Sequence, residues 1–216
     1  YGYVADGYFQ SQEEIDMADC VYGGNKANIK PGYIRYVDVN HDGEINSKDR
    51  VILGNSTPRY EYSFTLGGQW KGIDLSLFFQ GVGKRDLYYS GAGARPLVQN
   101  STIFKSQLDT WSPENPDAEY PLLLVDAGST NMNNIVSSFW IKSGAYLRLK
   151  NLTVGYTLPK KWTNRVSIDN LRLYFTASNL FTINNGYKGY DPETGVTSGA
   201  MYPVMKTFNF GINLDF

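Results

Sequence analysis

The end of the chain alternates without exception. In Thr207-Phe-Asn-Phe-Gly-Ile-Asn-Leu-Asp-Phe216, the apolar positions are Phe208, Phe210, Ile212, Leu214 and Phe216. The positions between them are Thr207, Asn209, Gly211, Asn213 and Asp215. Successive side chains of a strand point to opposite faces, so this segment has one wholly apolar face and one wholly polar face. With Lys206 it has the length of a tilted transmembrane strand, about 11 residues.

Four more segments carry the same signature. Tyr60–Trp70 sets Tyr60, Tyr62, Phe64, Leu66 and Trp70 against Glu61, Ser63, Thr65 and Gln69, with aromatics at its ends and aliphatics between. Lys71-Gly72 makes a tight turn into residues 73–81, where Ile73, Leu75, Leu77 and Phe79 oppose Asp74, Ser76 and Gln80. Strands joined so closely form an antiparallel hairpin. Over residues 145–158 the phase slips once, at Lys150-Asn151, as a β-bulge allows. Residues 171–181 alternate Leu171, Leu173, Phe175 and Ala177 with Arg172, Tyr174, Thr176 and Ser178. Helix is expected only as short turns near residues 12–18 and 103–110.

The connections between these strands are unequal. Lys71-Gly72 is minimal, 159–170 moderate, and 82–144 and 182–205 long. Outer-membrane barrels have short periplasmic turns and long extracellular loops. Counting back from a periplasmic C-terminus puts every long connection outside, together with residues 1–59. The expected fold class is therefore all-β: about five C-terminal antiparallel strands of a larger outer-membrane barrel, with long extracellular loops. The division is 1–59 as an extracellular loop region and 60–216 as barrel strands with loops 82–144 and 182–205. Barrels need about eight strands or more, so further strands are expected upstream. A soluble β-sandwich gives much the same alternation, and periodicity alone leaves it open.

Composition excludes other classes. A net charge of −1 leaves no electrostatic footprint for nucleic acid. The lone Cys20 forms no internal disulfide. No apolar run reaches the ~18 residues of a membrane helix. Aromatics reach 15% of residues, as in barrels with aromatic girdles and in some sandwiches. The chain opens Tyr1-Gly2-Tyr3 without a signal peptide, which suggests processing or a segment of a longer protein.

One local motif carries chemistry. Asp38-Val-Asn-His-Asp-Gly-Glu-Ile-Asn-Ser-Lys-Asp49 follows calcium-loop spacing. Asp38, Asn40, Asp42, the Glu44 carbonyl, Asn46 and Asp49 would supply hard oxygens around one structural Ca2+, with the sharp turn at Gly43. Position 12 is Asp where an EF-hand has Glu, and paired helices are missing from the flanks. The alternative is an Asx-rich surface turn without metal. His41, the only histidine, falls at a non-ligand position. Nucleophile-elbow, phosphate-loop and zinc motifs are absent. Asp109, Glu114, Asp117, Glu119 and Asp126 read as solvated loop acids, so no enzyme is expected.

The ordered motifs resemble the C-terminal part of SusC-like (RagA-type) TonB-dependent outer-membrane transporters. They are Gly7-Tyr-Phe-Gln-Ser-Gln-Glu-Glu-Ile15, Pro31-Gly-Tyr-Ile-Arg-Tyr-Val-Asp-Val-Asn40, Phe78-Phe-Gln-Gly-Val-Gly83, Trp111-Ser-Pro-Glu-Asn-Pro116, Tyr146-Leu-Arg-Leu-Lys-Asn-Leu152, Gly155-Tyr-Thr-Leu-Pro159, Asn179-Leu-Phe181, Gly189-Tyr-Asp-Pro192 and the final strand. The resemblance implies a barrel of roughly 22 strands with a lumen plug. It implies import of oligosaccharides or peptides with a SusD-like surface lipoprotein over the mouth. TonB would act only through N-terminal regions absent here, and lipid would surround the wall. Tyr88, Tyr89, Trp111, Tyr120, Tyr187 and Tyr190 are the loop aromatics that could stack on sugar faces. The competing reading is a soluble, secreted, calcium-stabilised β-domain that binds carbohydrate.

Overall fold

The computed structural model describes residues 1–216 apart from 92, 93, 95, 98–102, 126–130, 164–166, 185–190 and 195–201. The chain enters through β1 (Ala5–Tyr8), a short helix α1 (Gln12–Met17) and β2 (Ile34–Tyr36), which pairs antiparallel with β1. There follow β3 (Tyr60–Trp70), β4 (Ile73–Gly83), β5 (Asp86–Tyr88), β6 (Ile141–Ser143), β7 (Tyr146–Thr157), α2 (Lys160–Thr163), β8 (Asn170–Asn184) and β9 (Thr207–Asp215). Five of these make one antiparallel sheet in the order β3-β4-β7-β8-β9. Strands β5 and β6 pair separately.

Sequence alternation becomes register directly. Tyr62 faces Gly81, Phe64 faces Phe79, Leu66 faces Leu77 and Trp70 faces Ile73. The row continues through Ile73–Tyr156, Leu75–Val154 and Leu77–Leu152, then Val154–Phe175 and Tyr156–Leu173, and ends on Phe175–Phe210 and Leu173–Ile212. These alternating apolar residues of all five strands thus share one face, while Phe78, Val82, Tyr146 and Tyr174 fall on the other. The Phe64 and Phe79 rings stack with centroids 4.9 Å apart. Lys71 (φ 48°) and Gly72 (φ 85°) are both left-handed, the turn that matches the right-handed twist of a two-residue hairpin.

The expected phase slip is present. Leu77 pairs with Leu152 but Phe79 pairs with Leu149, so Lys150 is the extra residue. The bulge keeps Leu147, Leu149, Leu152 and Val154 on one face across the slip. Strand β8 shifts at the same level, where Asn179 takes φ 53°. Strands β4 and β8 each run past the expected ends, to Gly83 and Asn184. The expected turns near 12–18 and 103–110 appear as α1 and a single 3-10 turn at Lys105–Gln107.

The hydrophobic core lies outside the large sheet. It joins Tyr3, Phe9, Ile15, Val21, Ile29, Ile34, Tyr36 and Ile45 to Leu87, Tyr89, Trp111, Tyr120, Met132 and Trp140. The described residues of 1–59 and 84–145 therefore form one packed unit and not only irregular loops. Its strands are three or four residues long, too short for period-2 alternation to register. Its core is assembled from segments a hundred residues apart: Tyr8 Oη donates to the Ala118 carbonyl at 3.1 Å, and Ile34 N–H to Asn133 Oδ1 at 2.8 Å. The sheet is the reverse. Phe210 is 85% exposed, and Tyr62, Phe64, Leu66, Leu75, Phe208, Ile212 and Leu214 are exposed as well. A sandwich would cover these residues with a second sheet, and the described residues provide none.

The polar face carries its own fixed pairs. Arg172 grips Asp74 through two bonds, Nε–Oδ1 at 2.9 Å and Nη2–Oδ2 at 2.6 Å, passing over β7 at Gly155. A Cβ on Gly155 would sit inside contact distance of both side chains. A Cβ on Gly68 would meet nothing within 4 Å. Gly155→Ala is expected to destabilise the sheet by roughly 1–3 kcal/mol, as overpacking does. Gly68→Ala should cost little, and unfolding titrations of the two variants side by side check the contrast.

Candidate functional site

The acidic loop closes on itself through its own backbone. Asp38 accepts from His41 N–H and Gly43 N–H, both at 2.8 Å. Asn40 Oδ1 accepts from Asp42 N–H at 3.0 Å, and Asp42 Oδ1 from Glu44 N–H at 3.1 Å. Gly43 takes φ 85°, the sharp turn its position requires. Asp49 is fully buried, and its two oxygens accept from Val39, Asn40 and Asn46 N–H at 3.0, 3.4 and 2.8 Å. Asn46 returns a cap to Lys48 N–H at 3.0 Å, completing a reciprocal capping box around the 3-10 turn Ser47–Asp49.

The electrostatics follow from these bonds. Burial works against the Asp49 carboxylate, but the backbone donors outweigh it and hold its pKa below the ordinary 3.8. The Asn40 amide is the main reason the Asp42 carboxyl is also lowered, with Lys48 Nζ 3.3 Å away adding to it. The Cys20 thiol is pushed up, first by burial and then by Asp38, whose Oδ2 lies 3.9 Å from Sγ. It is therefore a poor nucleophile.

The donor set fits calcium in chemistry and spacing, all of it hard oxygen. The side chains as placed do not converge. Among the described residues no three Asp, Glu, His or Cys groups cluster closely enough to hold an ion. Asp49, committed to three N–H donors, acts as the keystone of the loop. Ile45 is buried in the core and Tyr22 bridges to it, so the loop is fastened to the packed unit.

Of the six aromatic candidates, Tyr89, Trp111 and Tyr120 are core residues. Tyr89 and Tyr120 pack around the Trp140 ring at 6.4 and 6.3 Å. The Trp111 indole lies against Gly32 and donates to Gln10 Oε1 at 3.0 Å. With their faces packed, these rings are not placed to stack on a sugar. The sequence could not separate a buried loop aromatic from an exposed one. Tyr88 is half-buried at the edge of the core. Tyr187 and Tyr190 lie outside the described residues, as does Asp126. Of the other loop acids, Asp109 accepts from Asn115 Nδ2 at 2.8 Å and Glu119 N–H at 3.1 Å, which closes the 109–119 turn.

A second polar cluster went unread in the sequence. Arg148 is only 3% exposed and sits on the polar face of β7, level with Gln80 and Thr182. Its Nη2 meets both Asp191 oxygens at 2.7 Å, its Nη1 meets Glu193 Oε2, and its Nε donates to Thr182 Oγ1 at 2.7 Å. Lys150 Nζ reaches Glu193 Oε1 at 2.6 Å. Arg85 Nη1 donates to the Pro192 carbonyl at 3.2 Å and its Nε to the Ser56 carbonyl at 3.1 Å. The only available signal was the Asp191-Pro192 pair within the ordered motifs.

No family model matches the chain. Among curated proteins it is 31% identical to TonB-dependent receptor P3 of Formosa agariphila, over 100% of this chain and 22% of that protein. It is 28% identical to TonB-dependent receptor SusC of Bacteroides thetaiotaomicron, over 100% of this chain and 20% of that protein. The chain thus spans about a fifth of the length of these relatives, which are receptors and not enzymes. Among solved structures, that of the RagAB peptide importer in the open-open state matches 100% of this chain and 22% of the solved chain, with a TM-score of 0.66 at 23% identity. That likeness supports the fold.

Asp49 gives a direct test. A depressed carboxyl pKa contributes stability that is complete above the ordinary value and is lost as pH falls through the lower folded value. Amide exchange at Val39 and Asn46, corrected for intrinsic rate, is expected to stay slow at neutral pH and to accelerate below about pH 4. Asp49→Asn should accelerate it at neutral pH and remove most of the acid dependence.

Proposed function

Because the chain belongs to the SusC-like TonB-dependent receptors, we propose that it supplies C-terminal wall and mouth to an outer-membrane transporter. One observation carries this: a five-stranded sheet whose apolar face is exposed while the protein's core sits elsewhere. Water would leave that face unpaid, and lipid covers it. Aromatic residues mark its margins, Tyr60 at one end and Trp70 and Tyr156 at the other, as interfacial girdles do. Among the described residues β3 and β9 each pair on one side only. In hydrocarbon an unpaired edge costs several kcal/mol per group, so further strands would continue the sheet on both sides and close it.

In this reading the polar face, with Arg172–Asp74 and Arg148, lines the lumen. The short Lys71-Gly72 turn and the end of β9 face the periplasm. The packed unit of 1–59 and 84–145 stands outside as part of the mouth. A SusD-like lipoprotein would cap that mouth, and the cargo would be an oligosaccharide or peptide. TonB would act through regions outside this chain. The soluble carbohydrate-binding alternative is disfavoured by the exposed apolar face, because large contiguous apolar patches mark partner or membrane surfaces. Calcium belongs to the same proposal: Asp38, Asn40, Asp42, the Glu44 carbonyl, Asn46 and Asp49 would gather around one ion that stiffens the mouth.

Two measurements test the reading. In the full-length transporter, Leu77→Arg on the apolar face should cost roughly 2–4 kcal/mol near the bilayer centre, while Ser76→Arg on the polar face should cost little. Equal losses in barrel stability would overturn the assignment of faces. For the loop, calcium should raise the melting temperature, chelation should lower it, and Asp38→Ala should abolish the difference. An unchanged melting temperature on chelation would remove calcium from the account.

A further inference from the structure

The cluster around Arg148 holds more charge than a sheet surface needs. Two cations, Arg148 and Lys150, face two carboxylates, Asp191 and Glu193, and the carboxylates come from one short turn, 191–194. The turn also closes on itself. Asp191 Oδ1 accepts from Glu193 N–H and the Asp191 carbonyl from Thr194 Oγ1, both at 2.9 Å. Pro192 is buried in its middle. The bulge matters too: Arg148 and Lys150 flank Leu149 on the same strand, just before the phase slip, and both reach Glu193. Arg85 adds a third contact through Pro192 and ties the same turn to residue 56 at the base of the packed unit.

We propose that Arg148 is the pin of an electrostatic clasp that fixes the Asp191–Thr194 turn against the polar face of the sheet. Only Pro192 is an apolar contributor, so the turn's position is set by charge and hydrogen bonding and not by a hydrophobic core. Such a contact is all-or-none. Removing the guanidinium leaves two carboxylates side by side without their main cation, and the turn leaves as a unit. In the barrel reading proposed above, the polar face is the inner wall, so the clasp holds this turn against that wall.

The test is amide hydrogen exchange on the full-length transporter in membrane discs, followed at peptides spanning 191–194. In the unaltered protein the Glu193 amide should be protected. Arg148→Gln should speed its exchange roughly tenfold or more, as local release requires. Arg172→Gln, which breaks the other cross-strand pair on the same face, should leave it unchanged. The double variant Asp191→Asn/Glu193→Gln should release the turn without altering any strand, so the test survives if the strand variant fails to assemble. An unprotected Glu193 amide in the unaltered protein, or a double variant as protected as the parent, overturns the clasp. Heat-resistant membrane assembly, measured on the same samples, reports separately on the barrel reading.

Discussion

The backbone ladder that joins β3 to β9, shifted only at the level of Lys150, is the constraint on which the rest depends. It satisfies the amides of five strands side by side, and in doing so it fixes every side chain to one of two faces. Once register is set, most large apolar residues of these strands are left on one open face, with Val82, Tyr146, Leu149 and Ala177 the buried ones. The exposed face running from Leu66 through Leu75 and Val154 to Phe210 follows from pairing. A soluble protein would need a second layer at this point. A membrane protein needs only hydrocarbon.

The ladder also explains where glycine and charge fall on the opposite face. Long polar side chains there must cross a neighbouring strand to find partners, and the strand beneath must be bare. Gly155 lies under the Arg172–Asp74 pair and Gly211 under the Tyr174 ring. At the far end, Arg148 meets its carboxylates in a connection and not in a strand. The packed unit follows different rules. It is held by an aromatic core and by buried side-chain bonds to backbone, such as Tyr36 Oη to the Met132 carbonyl at 2.5 Å and Trp140 Nε1 to the Asn133 carbonyl at 2.8 Å. Burial raises the Tyr36 phenol pKa, so that hydroxyl stays a donor.

Where β4 gives way to the packed unit, the bonds are polar. Arg85 links the Pro192 turn to Ser56, and Asp86 takes the Asn55 amide at 3.0 Å. A sheet held by backbone bonding and a unit held by side-chain packing thus sit side by side in one chain.

Sequence by itself determined the five strands, the faces they present, the Lys71-Gly72 turn and the slip at Lys150. Each of these is local: alternation needs only neighbouring residues, and a two-residue turn needs only its own backbone angles. The calcium-like spacing of residues 38–49 was equally legible, and so was its sharp turn at Gly43. Tertiary structure alone decided that Asp49 is a buried keystone, that Trp111 and Tyr120 are core, and that Arg148 holds Asp191. Those facts depend on partners 10, 43 and 101 residues away. No period in the sequence records which distant residue will arrive, because chain folding and not local geometry brings the two together.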